Sequence, residues 1–532
     1  MNEHRLLAVD LGLVTPLTSF LAVVCLCFLL CLLTSMDSDQ TSAFYTSDRS
    51  LPALRNGLAL CGDYIHATAL IGPIGTIALG GYDGMVVAVS ASAALGILLV
   101  LAQPLRNTGR FTLGSILETR MAGNATRIAG TVLTLVVCVP LTVVQLTVAG
   151  EATAYVLGLE ASGADLACTV LIGLLMISFA AFGGMRGTSM IQTGKALLVF
   201  GVVLALTAAA VGRFGWDFGA MLDAAALGGD RAGALYAPGL LFGSTSTGTL
   251  ELFSLCLTVS LGSAVVPPIL MRISASVDGR SARRASRHAV IMVTLFYGAM
   301  VLLGLAAAAV TGPAAIVADD PRGSSALFLL TDDLAQGDGG RTLFTMVACA
   351  VFVAALATVA GLTLAAAASV SHDVYAWTLR RGAVTDKQEV TVARWAVVAI
   401  GVGSVFLAVL LHAWSFLFLA SFAAAVAASV ILPALVYTLF WKGFTRLGLL
   451  WTLYGSLACC LLLQVFGPTV SGHSHSLLPT HDFHWFPLQN IALASVPVGF
   501  LLGWLGSRVR PRTSTERSRD AQAEARMLAG LD

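Results

Sequence analysis

The chain has 532 residues, 57% of them hydrophobic and 11% charged, with a net charge of +1. Soluble domains carry about 25% charged residues, so this composition excludes a soluble enzyme, a nucleic-acid binder and a disordered chain. The 30 basic and 29 acidic side chains suffice only for a surface that mostly faces lipid.

A bilayer core about 30 Å thick takes roughly 20 apolar residues of helix, with every backbone group bonded inside the segment. Thirteen runs meet that requirement and predict an all-α polytopic membrane protein. The first, near 11–34, follows Glu3, His4, Arg5 and Asp10, which lack the positive start of a signal peptide, so it is read as a span. The second, 57–80, carries Asp63 and His66 and is interrupted by Gly72-Pro73-Ile74-Gly75. A short turn at Gly80-Gly81-Tyr82-Asp83-Gly84 leads to the third, 83–103. The fourth, 128–150, contains Gln145; the fifth and sixth occupy 163–182 and 195–213. Ser189 to Ala196 approaches a nucleotide-binding loop, but Ser stands for the first Gly and Ala196 follows Gly194-Lys195, so no ATP site is expected. The seventh, 251–272, is broken at Gly262-Ser263 and Pro267-Pro268. The rest lie at 287–312, 342–371, 392–413, 415–441, 447–467 and 489–507.

Between the last two spans a loop holds His473, His475, His481 and His484 with Asp482, read either as weak zinc or copper ligands or as a solvated loop. The tail after Gly506 carries six Arg and reads as a solvated cytoplasmic helix. With the tail inside and the N-terminus outside, 25 of the 30 basic residues share the inner side; Arg5, Arg213, Arg231, Arg322 and Arg341 do not. A multi-pass position in a plasma membrane, such as a bacterial inner membrane, follows. The ten cysteines fall in or beside spans and imply no disulfide framework. No catalytic cluster lies within the spans, so neither enzyme activity, a cofactor nor an obligate protein partner is expected.

Interrupted helices at matching places in two halves mark the binding site of repeat-built transporters. Spans 2 and 7 are both broken, five spans apart. The halves also place their long loops, 104–127 and 313–341, on opposite sides, as inversion demands. Gly and Pro are common in membrane helices, so such coincidences also arise by chance. The organisation expected is a first helix and cytoplasmic linker (1–56), a first repeat (57–213), an external loop (214–250) and a second repeat (251–441). Two accessory helices (442–507) and the Arg-rich tail (508–532) complete it. Breaks free carbonyls and amides at mid-membrane, so the substrate candidates are Ile71, Gly72, Pro73, Gln145, Gly262, Ser263, Pro267 and Thr363. Helical Ser and Thr also commonly bond their own backbone. No Lys or Arg is read deep in any span, so an anionic solute is expected to be held by amides at half-helix N-termini.

Several stretches resemble the sodium:solute symporter family, in its cation/acetate or monocarboxylate permease branch. They are Phe44-Tyr45-Thr46-Ser47-Asp48-Arg49-Ser50, Asn56 to Tyr64, Leu105 to Thr112 and Gly183-Gly184-Met185-Arg186-Gly187-Thr188 with Gln192. Pro267 to Arg272 and Ala360-Gly361-Leu362-Thr363-Leu364 running to Ser371-His372-Asp373-Val374-Tyr375 complete the set. The resemblance implies a LeuT-like five-plus-five inverted repeat, alternating access, and symport of a small monocarboxylate such as acetate, propionate or pyruvate with Na+.

Carried over, the family's sodium site implies backbone oxygens at Cys61, Tyr64, Ala354 and Ala357 with the hydroxyl of Thr358; Ala357 stands where some members carry a second hydroxyl. Pro268 replaces a His common in the branch, and His66 a small residue. Asp63 is a costly acid to bury unless paired or functional, or lies close enough to a helix end to be wet. His66, three residues on, shares its helical face, so the pair offers H+ coupling as an alternative to Na+. Another small solute such as an amino acid, or a channel-like or sensory protein on the same fold, are the competing readings.

Overall fold

The computed structural model describes residues 40–509, except 160, 162, 229–232, 335–337, 413–415 and 474–475, together with scattered positions in 18–29 and 521–527. Most of the first predicted span, His475 and most of the Arg-rich tail therefore lie outside the described residues.

The described chain is helical, and ten helices are long and apolar enough to cross a membrane. After a lead-in helix α1 (Ala53–Tyr64) come α2 (Ala67–Asn107), α3 (Asn124–Val156) and α4 (Ala164–Gly212). A broken span follows, made of α5 (Ser246–Gly262) and α6 (Pro267–Ser274), and then α7 (Gly279–Val310). The remainder are α8 (Thr342–Leu379), α9 (Asp386–Leu410), α10 (Phe418–Phe440), α11 (Arg446–Val465) and α12 (Ala492–Val509).

At 1.5 Å per residue, the 41 residues of α2 and 49 of α4 are each about twice as long as the bilayer core requires. Each is interrupted by a left-handed glycine, Gly81 (φ +51°) and Gly184 (φ +47°). A Cβ on Gly81 would also lie 2.0 Å from the Leu235 carbonyl oxygen. Divided there, α2 accommodates predicted spans 2 and 3 and α4 predicted spans 5 and 6, with α3 as span 4. Just past the first bend, buried Asp83 accepts the backbone N–H groups of Gly239 and Leu241, tying the loop before α5 to α2.

The expected break at Gly72-Pro73-Ile74-Gly75 is not where the chain opens. Those residues lie inside α2; the helix stops instead at Ile65 (φ −87°, ψ 75°) and restarts after an extended His66. The second break falls as expected. A tight turn over Ser263–Val265 leads to Val266 in extended conformation, which the following proline favours, and Pro267 opens α6. The α1 and α6 segments lie side by side, with Asn56 Nδ2 donating to the Arg272 carbonyl at 3.1 Å.

The most deeply buried span is α8. Its alanines, among them Ala354, Ala355, Ala357 and Ala360, let neighbouring backbones approach closely. The tail is not wholly solvated as expected: Ala523 and Met527 are buried, Glu524 pairs with Lys442 at 2.9 Å, and Asn107 donates to the Met527 carbonyl.

Candidate functional site

Asp63, one residue before the end of α1, sits at the centre of a buried polar network. Its Oδ2 accepts Arg272 Nε of α6 at 2.8 Å, and its Oδ1 accepts Gln192 Nε2 of α4 at 2.7 Å. Gln192 Nε2 also donates to the Ala357 carbonyl of α8 at 3.0 Å, so one amide joins three helices. Arg272 Nη1 continues to Ser189 Oγ. One turn along α4 from Gln192, Lys195 Nζ lies 3.2 Å from Thr358 Oγ1.

The expectation that no Lys or Arg lies deep in a span is thus overturned: Arg272 is 2% exposed and Lys195 fully buried. Both stood at the ends of predicted spans. The bend at Gly184 starts the second half of α4 ten residues earlier than expected, which carries Lys195 inside. Asp63 was the available signal, since a buried carboxylate calls for a counter-ion.

Of the residues carried over for a sodium site, Cys61 and Tyr64 flank Asp63 on α1 and Ala354, Ala357 and Thr358 lie on α8, with Gln192 linking Asp63 to the Ala357 carbonyl. Most of their oxygens have protein partners. The Cys61 carbonyl accepts Ile65 N–H at 3.0 Å and the Ala357 carbonyl accepts Gln192. Thr358 Oγ1 donates to the Ala354 carbonyl at 2.7 Å and meets Lys195.

His66 does not share a helical face with Asp63, because the chain breaks between them. Its Nδ1 instead caps α2, accepting Ala69 N–H at 3.0 Å. Gln145 of α3 accepts Ala67 N–H at 3.1 Å and donates to Thr68 Oγ1 at 3.2 Å. The Leu70 amide bonds the His66 carbonyl. Of the first four amides of α2, only that of Thr68 has no partner among the described residues.

Beside this helix start lies a cavity of about 300 Å³. Thr68, Ile71 and Gly72 of α2 line one wall and Val148 and Ala152 of α3 another; Phe328 and Tyr155 add aromatic faces, and Glu151, Asp319, Asp320, Ser324 and Ser325 supply polar groups. The loop bearing Ser324 is pressed onto α2, where a Cβ on Gly75 would fall 2.0 Å from the Gly323 carbonyl oxygen.

Of the substrate candidates, Ile71 and Gly72 line this cavity and buried Gln145 braces its helix start. Pro73 lies inside α2 and Pro267 is buried as the first residue of α6. Ser263 and Thr363 hydroxyls bond their own helices, to the Val259 and Val359 carbonyls. At Gly262 a Cβ would lie 2.2 Å from the Ala424 carbonyl oxygen, so it marks close packing on α10 rather than open space. In the histidine loop, His473 and His484 rings are 5.4 Å apart, His484 pairs with Asp482 and His481 meets Thr480. No group of three metal-ligating side chains is assembled among the described residues.

A sequence profile of the sodium:solute symporter family matches residues 44–455. The chain is 33% identical over 549 residues to a monocarboxylic acid transporter of Corynebacterium glutamicum, covering 100% of this chain and 98% of that protein. It is 34% identical over 518 residues to an uncharacterized symporter of Bacillus subtilis, covering 97% and 98%. Among solved structures, a Na+-coupled sialic acid symporter in a substrate-bound outward-open state superposes with a TM-score of 0.71 at 12% identity, covering 93% of this chain and 98% of that one. MhsT in complex with L-phenylalanine superposes with a TM-score of 0.52 at 15% identity, covering 85% and 98%. These structures share the LeuT-like fold. With a family match over most of its length and relatives aligned end to end, the chain is a member of the sodium:solute symporter family, built as a transporter of solutes across membranes.

Proposed function

We propose that the protein is a plasma-membrane symporter that imports a short monocarboxylate, such as acetate, propionate or pyruvate, by alternating access. The observation that carries this reading is the cavity at the start of α2. A carboxylate there has the Thr68 amide and the positive end of the helix dipole to meet it on one wall, and is held away from the carboxyl groups of Glu151, Asp319 and Asp320 that line the same cavity. Ile71, Gly72, Val148 and Ala152 suit a short alkyl group. The cavity volume of about 300 Å³ is small for a ligand site. Arg272 and Lys195 are engaged by Asp63 and Thr358 and do not line it, so backbone dipoles remain the favoured anion holders.

Family membership favours sodium as the coupling ion. Coupling to protons through Asp63 and His66 gains no support from the geometry, since His66 is a helix cap and Asp63 is locked to Arg272. The strong bias of basic residues favours an inward C-terminus. The test is uptake of radiolabelled acetate, propionate and pyruvate into proteoliposomes with Na+ and H+ gradients imposed separately. Accumulation driven by a cation gradient supports the reading; uptake indifferent to both gradients overturns symport.

A further inference from the structure

We propose that Lys195 is a built-in occupant of the coupling-cation site: its amino group holds the place of the ion on Thr358, and sodium binds there only when Lys195 withdraws. The inference rests on reading Cys61, Tyr64, Ala354, Ala357 and Thr358 as the cation site, and is independent of which solute is carried.

Three observations lead to it. The first is position. Lys195 Nζ, on a fully buried side chain, is 3.2 Å from the one side-chain oxygen of that set. It is also close enough to Asp63 and Cys61 to interact with both electrostatically. The second is ligand supply. Thr358 Oγ1 spends its proton on the Ala354 carbonyl, so its lone pairs are what it offers, and Lys195 takes one of them. An ammonium group and a hard cation compete for the same oxygens. Gln192 takes one lone pair of the Ala357 carbonyl as well, so a sodium ion there would share that oxygen with an amide donor.

The third is charge. Asp63 is the one carboxylate of the network and Arg272 already pairs with it at 2.8 Å. Lys195 brings a second positive group, and a sodium ion beside it would bring a third, in a region of low dielectric where like charges repel strongly. The long, flexible stem of a lysine lets its amino group leave one oxygen for another without moving the helix. Sodium affinity at this site is therefore set by how firmly Lys195 holds Thr358.

The test is sodium binding to the purified full-length protein, followed as radioactive sodium retained without any solute, at constant ionic strength with choline as the balancing cation. Wild type, Lys195→Met, Lys195→Gln and Lys195→Arg are compared, with Lys195→Met/Thr358→Ala as the site control. The expected result is a sodium Kd at least tenfold lower in Lys195→Met or Lys195→Gln than in wild type, with Lys195→Arg still weak and the gain abolished in the double variant. Equal affinity, or equal lack of binding, in wild type and both neutral variants overturns the proposal. So does a gain that survives loss of the Thr358 hydroxyl. Because no solute is present, failure of the monocarboxylate reading leaves this measurement unaffected.

Discussion

Arg272 closes on Asp63 across the two interrupted spans, its Nε 2.8 Å from the carboxylate Oδ2, with both side chains nearly inaccessible. Asp63 lies in the last turn of the segment before one break and Arg272 in the segment after the other, so the ion pair fastens the α1 and α6 half-helices to each other. Gln192 and Ser189 extend the fastening to α4.

Removing one partner of such a pair leaves an uncompensated buried charge, which costs about 3–5 kcal/mol. Asp63→Asn and Arg272→Gln are each expected to lower thermal stability in detergent markedly and to abolish uptake. The double variant should be less destabilised than the sum of the singles, with a coupling of about 1–3 kcal/mol. Strict additivity in the double-mutant cycle would mean that the pair contributes no interaction of its own.

The same ion pair shows what a linear sequence hides. A span drawn by hydropathy stops where charge begins, so Lys195 and Arg272 were placed at span ends by construction. Their burial depends on partners from other helices, Thr358 and Asp63, which no local window contains. The turn at Gly81 was legible in its glycine cluster, because only glycine tolerates that angle cheaply; between the fifth and sixth spans the sequence marked only a gap at 183–194, within which the chain bends at Gly184. The break before Pro267 was legible because proline disfavours helix in the residue before it; the same signal misled at Pro73, where Gly72 and Pro73 continue α2. The break at Ile65–His66 was not, since neither residue disrupts a helix. It is stabilised by the His66 cap and by Gln145, 78 residues on from the Ala67 amide that it accepts.

That capping role yields a prediction for His66. Losing a side chain that satisfies a helix-start amide costs about 0.5–2 kcal/mol, so His66→Ala should lower the melting temperature, while His66→Asn, which restores a capping acceptor, should recover most of the loss. The pH profile of uptake should be the same in all three proteins. A profile that moves in both variants would instead make His66 part of the coupling chemistry.

The contact between Gly75 and Gly323 makes the loop that overlies the cavity sensitive to a single methyl group. A Cβ at residue 75 would meet a backbone oxygen at 2.0 Å, which no side-chain rotation relieves. Gly75→Ala should therefore lift the loop from α2. Ser324→Cys, at the cavity wall, should then react faster with a membrane-impermeant maleimide than it does with Gly75 intact, each read against the same background without the added cysteine. An unchanged labelling rate would show that the loop does not bear on α2 as described.

Chain-length selectivity tests the cavity itself. A Cβ on Gly72 meets nothing within 4 Å, so Gly72→Ala adds a methyl group to the cavity wall without straining the fold. Ile71→Ala opens the same wall. One methylene of fit is worth about 1–3 kcal/mol, or roughly 10- to 200-fold, in a hydrophobic pocket. Competition of unlabelled two- to six-carbon acids against labelled acetate should shift toward shorter acids in Gly72→Ala and toward longer ones in Ile71→Ala. Opposite shifts from adjacent residues distinguish a change of shape from general damage, which would weaken every acid alike. A competition profile identical to wild type in both variants would place the solute elsewhere, and with it the role of the Thr68 amide.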